Sequence, residues 1–283
     1  MKEIKKGDIV GRKSYGKDIL FEVSRIIETK QEDIAILTGI IDRIQADSKI
    51  SDLEKIETKE VKKITKEYEE KVKEKISKTN KQKEKDYKIG IITSNKRTRE
   101  KIITGKILHL DGDRKYSEKS RRYYQKVGLK AIVKNIPESK QPKVVYNLLK
   151  YYNPDILVIT GHDGMFHKER GYNDIYNYKN SRHFIETVKE ARRYEKDFFN
   201  DIVIFAGACQ SYFEALMEAG ANFASSPARI LIDFLDPLIV AKSVAITDKN
   251  RYITIDDFVE ELRDGKRGVN GLGAMGKKNV IFL

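Results

Sequence analysis

PDILVITGHDG, residues 154–164, and DIVIFAGACQS, residues 201–211, decide how this chain folds. Each is a short run of Ile, Val, Leu and Phe that ends at a glycine and a polar residue. Such runs, set between amphipathic helices, are what a parallel sheet covered on both faces requires. The neighbouring segments agree. GKILHLDGD (105–113) and LKAIVKNI (129–136) read as two further strands, and SEKSRRYYQKVG (117–128) between them as a helix stopped by Gly128. PKVVYNLLKYY (142–152) is predicted as a helix with Pro142 in its first turn, SRHFIETVKEARRYE (181–195) as a longer one, and SYFEALMEAG (211–220) as a third. After residue 222 the pattern loosens: a helix around 228–241, a short strand SVAIT, a helix over 255–264 and a glycine-rich end.

Working outward toward the N-terminus, residues 1–56 change character. GDIV, DILFEV and DIAILTGI are short apolar runs punctuated by Gly and Asp, and Ile19, Phe21 and Val23 alternate with polar neighbours as in a half-buried strand. A small SH3-like β-barrel fits. Residues 57–88 contain neither Gly nor Pro, and Val61, Ile64, Tyr68, Val72 and Ile76 recur at helical steps, so this stretch reads as a charged helical linker whose later part, 77–88, is a tether. The expected organisation is a barrel at 1–56, the linker at 57–88, and an α/β domain at 89–283 with a caspase-like, mostly parallel sheet.

Composition excludes several classes. The chain has 283 residues, of which 40% are hydrophobic, enough for a real core. No apolar run is long enough to insert into a membrane and the start has no signal-peptide core, so the expected compartment is intracellular. A single cysteine leaves no internal disulfide, and with four His it argues against a zinc finger. The net charge of +13 suits either lysine-rich solvated helices or an acidic partner. Nucleic acid is the lesser expectation, since Tyr15 and Phe21 are all the stacking surface the barrel segment offers. GLGAMG (271–276) has the dinucleotide-binding spacing, but it follows no βαβ strand and too little chain remains for the rest of that unit; it reads as a loop or a backbone wall near a substrate.

The pair that carries chemistry is His162 and Cys209. His162 follows one buried strand and Cys209 ends the next, and groups at the carboxyl ends of neighbouring parallel strands converge on one crevice. The separation is close to the caspase pattern, with His roughly 50 residues upstream of Cys. A thiol is only slightly ionised at neutral pH, so a nearby imidazole must accept its proton. The helix predicted after Cys209 would favour a thiolate through its dipole. The competing reading is a small buried hydrophobe at a strand end. His167 is a substitute base or a surface residue, while His183 and His109 read as packing. Asp111 and Asp113 end the first α/β strand, where they bind a cation or cap the turn. Asp163 and Asp236 are candidate wall acids. Ser225 and Ser226 line the cleft or cap the next helix.

At LHLDGD, PDILVITGHD, FAGACQSYFEALMEAGANFASSP and the N-terminal GDIVGRKSYGKDILF the chain resembles the YabG family of sporulation-specific peptidases, nearly end to end. The resemblance implies a cysteine peptidase of the mother-cell cytoplasm that processes spore coat proteins, with cleavage favoured after Arg. It implies Cys209 as nucleophile and His162 as its partner, with no metal or cofactor. Backbone amides near Gly164 and Cys209 would hold the oxyanion. In caspase-like sites Gly directly follows the His; here Asp163 intervenes, which leaves open which amide completes that hole. An Arg side chain needs a facing carboxylate, for which Asp236 is favoured over Asp163, with Asp233 in the same region; a capping role for Asp236 stays open. The alternative from another class is a non-catalytic scaffold that binds coat proteins or nucleic acid.

Overall fold

A computed structural model describes residues 3–93, 100–166 and 171–282. The chain opens with β1 (Ile9–Arg12), β2 (Phe21–Ile27), β3 (Ile34–Gly39), β4 (Gln45–Lys49) and β5 (Leu53–Lys55). These form one antiparallel sheet in the order β4-β3-β2-β1-β5. Alternation dictates its inner face: Phe21, Val23, Ala35 and Leu37 are buried while their neighbours reach solvent. A register shift between Val23 and Arg25 bends β2.

Helix α1 (Thr58–Thr93) follows and runs without a break through 77–88, where the sequence reads as a tether. Lys and Glu are good helix formers even without an apolar face, so loss of periodicity does not by itself end a helix. Tyr68 and Val72, four residues apart on one side of α1, pack on the α/β core. Strand β6 (Glu100–Ile103) comes next, and then the α/β series: β7 (Ile107–Asp111), α2 (Arg114–Lys126), β8 (Ala131–Asn135), α3 (Gln141–Tyr152), β9 (Ile156–Thr160), α4 (Ser181–Phe198), β10 (Val203–Ala206), α5 (Phe213–Glu218) and β11 (Phe223–Ser225).

The chain closes with α6 (Asp236–Ile246), β12 (Tyr252–Ile253), β13 (Val269–Gly271), β14 (Ala274–Met275) and β15 (Asn279–Phe282). The central sheet has the order β13-β11-β10-β9-β7-β8, parallel except for β13. Two cores follow from the period-2 alternation of fully buried strands. Ile107, Ile156, Val158, Val203 and Phe205 face α2 and α6. Leu108, Leu110, Leu157, Ile159 and Ile204 face α3 and α4.

The C-terminal third departs from the sequence reading. The helix expected around 228–241 starts at Asp236, with Pro237 in its first turn, and absorbs SVAIT, so no strand forms there. Every residue from Asp236 to Ala245 is buried, so no polar face marks its period. The helix expected over 255–264 is two 3-10 turns, Ile255–Asp257 and Val259–Glu261; the capping box between Thr254 and Asp257 starts a helix that does not propagate. GLGAMG contributes to β13 and β14, and a side chain at Gly271 would collide with the Asn222 carbonyl.

The N-terminal sheet packs directly on the α/β layer. Val10, Phe21, Val23, Leu37 and Ile44 share one apolar cluster with Cys209 and Ile232. Among the described residues no helix is long and apolar enough to cross a membrane.

Candidate active site

The strand order β8-β7-β9-β10 reverses direction between β7 and β9, and in open α/β sheets the carboxyl ends at such a reversal form the ligand crevice. Ile159 of β9 is in register with Ala206 of β10. His162 and Cys209 each lie three residues past that pair, so the two chains leave the sheet side by side. Asp111 of β7 is in register with Thr160, which puts it on the same edge.

Past β10 the chain turns sharply. Gly207 has φ +112°, and a side chain there would sit 2.3 Å from Ser225 Oγ. Gln210, directly after Cys209, holds φ +56°, a left-handed conformation that a non-glycine residue keeps only under constraint. The constraint is a set of hydrogen bonds. The Gln210 amide donates to Ser226 Oγ (3.0 Å) and to the Ile230 carbonyl, Ser226 Oγ donates to the same carbonyl, and Ser225 Oγ donates to the Ala208 carbonyl at 2.8 Å. Ser225 and Ser226 therefore hold the cysteine turn; they are fully buried and do not cap a helix.

Asp163 is the other anchor. Its carboxylate accepts from the Gly164 and Asn180 amides and from Ser181 and Ser211 hydroxyls. It ties the loop after β9 to the start of α4 and to the turn after Cys209. Burial still lifts its pKa to about 6 against those bonds. Asp236 accepts from the Asp233 and Arg263 amides, and Asp233 from the Leu235 amide and the Tyr68 hydroxyl. These carboxylates hold the segment leading into α6. His109 is core, bonded to Tyr124 and Thr160, and burial lowers its pKa to about 3. Asp113 caps α2 by accepting from the Tyr116 amide, His183 lies part-buried on α4, and His167 lies outside the described residues.

The Cys209 thiol is fully buried, and desolvation raises its pKa to about 12. Its Sγ accepts from the Ile232 amide at 3.3 Å. His162 is almost as buried, which pushes its pKa down, with Asp113 at 4.0 Å as the main opposing charge. Among the described residues its Nε2 has no hydrogen-bond partner. The Tyr116 ring packs edge-on against the imidazole, with centroids 5.8 Å apart.

One residue in this crevice went unread in the sequence. Arg43, in the β3–β4 hairpin, is fully buried, with Nη1 2.7 Å from Asp111 Oδ2 and Cζ 4.6 Å from the Tyr116 ring centre. The available signal was the Ile40-Ile41 pair inside the hairpin GIIDRI, at positions where a solvent-facing turn would carry polar residues. Asp111 also accepts from Thr160 and the Asp113 amide, so it both caps the turn and faces a cation. Among the described residues no group of three His, Cys, Asp or Glu side chains is gathered to hold a metal.

Over residues 5–282 the chain matches the family described as YabG peptidase U57. It is 38% identical over 288 aligned positions to the sporulation-specific protease YabG of Bacillus subtilis (strain 168), an alignment covering 95% of this chain and 94% of that protein. No solved structure matches it.

Proposed function

The chain belongs to the YabG peptidase U57 family, and from that premise we propose that it is a sporulation cysteine endopeptidase working through Cys209 and His162. The observation that carries this reading is the shared step of three residues from the Ile159–Ala206 register pair. His162 takes the thiol proton, Sγ attacks the peptide carbonyl, and the imidazole returns the proton to the leaving amine. Burial, which lowers the His162 pKa, keeps the imidazole in the neutral state a base needs, and among the described residues its Nε2 has no hydrogen-bond partner. The Gly164 amide is spent on Asp163, so the amide of Asp163 itself, with that of Cys209, is the better pair for the oxyanion.

Cleavage after Arg is the specificity we favour. Asp111 replaces Asp236 as its carboxylate, because Asp111 already holds a guanidinium in the crevice whereas the carboxylates of Asp236, Asp233 and Asp163 are engaged by backbone amides. Spore coat proteins in the mother cell are the proposed substrates. The sheet is read as caspase-like and the N-terminal sheet, whose first strand also pairs with its fifth, as an SH3-like barrel. Division at 1–56, 57–88 and 89–283 remains the proposed organisation.

A second reading, a non-catalytic scaffold, draws on the full burial of the thiol. The two separate on Cys209→Ala tested with coat extract and an Arg peptide. An enzyme loses turnover by roughly three orders of magnitude or more, as when a nucleophile is removed; a scaffold keeps binding and never had turnover. Wild-type hydrolysis by the alanine variant would sink the cysteine-peptidase reading.

A further inference from the structure

Three neighbouring strand ends carry one line of polar groups. In the sheet order β7, β9, β10, Asp111 of β7 is in register with Thr160 of β9. Asp113 and His162 each lie two residues past that pair, just as His162 and Cys209 each lie three past the Ile159–Ala206 pair. His162 therefore leaves the sheet between Asp113 on one side and Cys209 on the other. Its buried Nε2, without a hydrogen-bond partner among the described residues, lies 4.0 Å from Asp113 Oδ2. The other oxygen of that carboxylate, Oδ1, accepts from the Tyr116 amide at 2.9 Å and so starts α2. One oxygen caps the helix and the other is turned to the imidazole.

The separation of the two turns is set by a third residue. Glu138, in the 3-10 turn after β8, accepts from the His162 amide through Oε1 at 2.8 Å. The same carboxylate fills the space beside Gly112 and Gly161, where a Cβ would sit 2.1 Å and 2.2 Å from Oε1. Those glycines directly precede Asp113 and His162. The Gly112 amide also donates to the Thr160 carbonyl at 3.1 Å, which ties the two turns to each other. The other charges near the imidazole are engaged or of the wrong sign. Asp111 pairs with Arg43, Asp163 is held by two amides and two hydroxyls, and Glu138 meets the main chain of His162. Arg43 and Lys179 oppose an imidazolium, and the Tyr116 ring covers it edge-on.

We infer that Asp113 is the positioning residue of this site: it keeps the proton of the neutral imidazole on Nε2, leaves Nδ1 to take the thiol proton, and balances the imidazolium that then forms. This rests on the peptidase reading above. During attack the proton moves from Sγ to Nδ1 as sulfur bonds to the peptide carbonyl carbon. When the C–N bond breaks, Nδ1 gives that proton to the leaving nitrogen. Nε2 keeps its own proton throughout, and Asp113 stays ionised. A gap of 4.0 Å is longer than a hydrogen bond, and such gaps in a free enzyme tighten once substrate is bound.

The test compares wild type with Asp113→Asn and Asp113→Ser. Asn and Ser cap a helix about as well as Asp, so both remove the charge and keep the start of α2. The first readout needs no turnover. The chain has four histidines, so the imidazole nitrogens of His162 are assigned in an NMR titration by their loss in His162→Gln. The expected wild-type tautomer carries its proton on Nε2, and the titration of His162 falls by roughly one pH unit or more in both Asp113 variants. The second readout is hydrolysis of an Arg peptide. In both variants kcat is expected to drop roughly 10²–10⁴-fold, and the acid limb of kcat/KM to move to lower pH with the imidazole; loss of a helix cap alone would not move that limb. A proton on Nδ1, or an unchanged His162 titration in both variants, overturns the inference. So do a wild-type kcat and acid limb in both variants, and where Cys209→Ala is inactive that result leaves the peptidase reading standing. Hydrolysis at the wild-type rate by Cys209→Ala overturns both.

Discussion

Replacing Asp111 by Asn strands a guanidinium in the protein interior. Arg43 and Asp111 are both fully buried, their charged atoms are 2.7 Å apart, and no other carboxylate pairs with Arg43 among the described residues. Unit charges about 4 Å apart at an effective dielectric near 20 attract by about 4 kcal/mol. Removing one member of a buried pair costs about 3–5 kcal/mol, because the survivor keeps its desolvation penalty. In a chain of this size that lowers Tm by roughly 6–20 °C. Asn also weakens the bonds from Thr160 and the Asp113 amide, so the single variant overstates the ion pair. A double-mutant cycle removes that error. Asp111→Asn, Arg43→Met and the double variant are compared by urea titration. Replacing both charges is expected to recover about 2–3 kcal/mol of the single-variant loss. Two results would refute the guanidinium–carboxylate contact. One is a cost under about 1 kcal/mol for Asp111→Asn, the range of an exposed pair. The other is an equal cost of Asp111→Asn with and without the Arg43→Met change, which would mean that the two side chains do not sense each other.

The other predictions are shorter. His162→Gln lowers kcat by about two to four orders of magnitude with little change in KM, the loss of a general base, measured by peptide hydrolysis. Asp111→Asn lowers kcat/KM for an Arg peptide by about 2–4 kcal/mol relative to its citrulline analogue, while Asp236→Asn leaves that ratio unchanged; an effect at Asp236 alone would move the pocket there. His109 folds with its pKa lowered to about 3, so its stabilisation is whole above about pH 6.5 and is lost as pH falls toward 3. The stability gap between wild type and His109→Leu should therefore shrink by about 1.4 kcal/mol per pH unit across that window, read from urea titrations. A fragment starting at Lys88 loses the apolar partners of Cys209 and Ile232, and is expected to bind a hydrophobic dye and melt well below the full chain; an unchanged Tm would show that the two layers fold apart.

The apolar runs at 107–111, 156–160 and 203–206 were legible as buried strands because burial on both faces leaves no polar position to confuse the pattern. From them came the parallel sheet, and from the glycine and polar residues at their ends came His162 and Cys209 as neighbours on one edge. Local chemistry also marked the start of α3, through Pro142, and the end of α2, through Gly128. Where burial was complete and no turn residue intervened, as in α6, helix and strand were indistinguishable by period and the reading failed. Asp236, Asp233 and Asp163 looked like pocket acids because a carboxylate's sequence neighbours do not say which amides it will meet. Arg43 lies far along the chain from Asp111, Asp163 and Cys209, and its hairpin carries no motif. Periodicity and turn chemistry report on the few residues on either side of a position, and so they determined the strands and the sheet edge past which His162 and Cys209 lie. What fills that edge depends on contacts across long loops, and only the tertiary structure decided that an arginine from the N-terminal sheet lies against the cysteine.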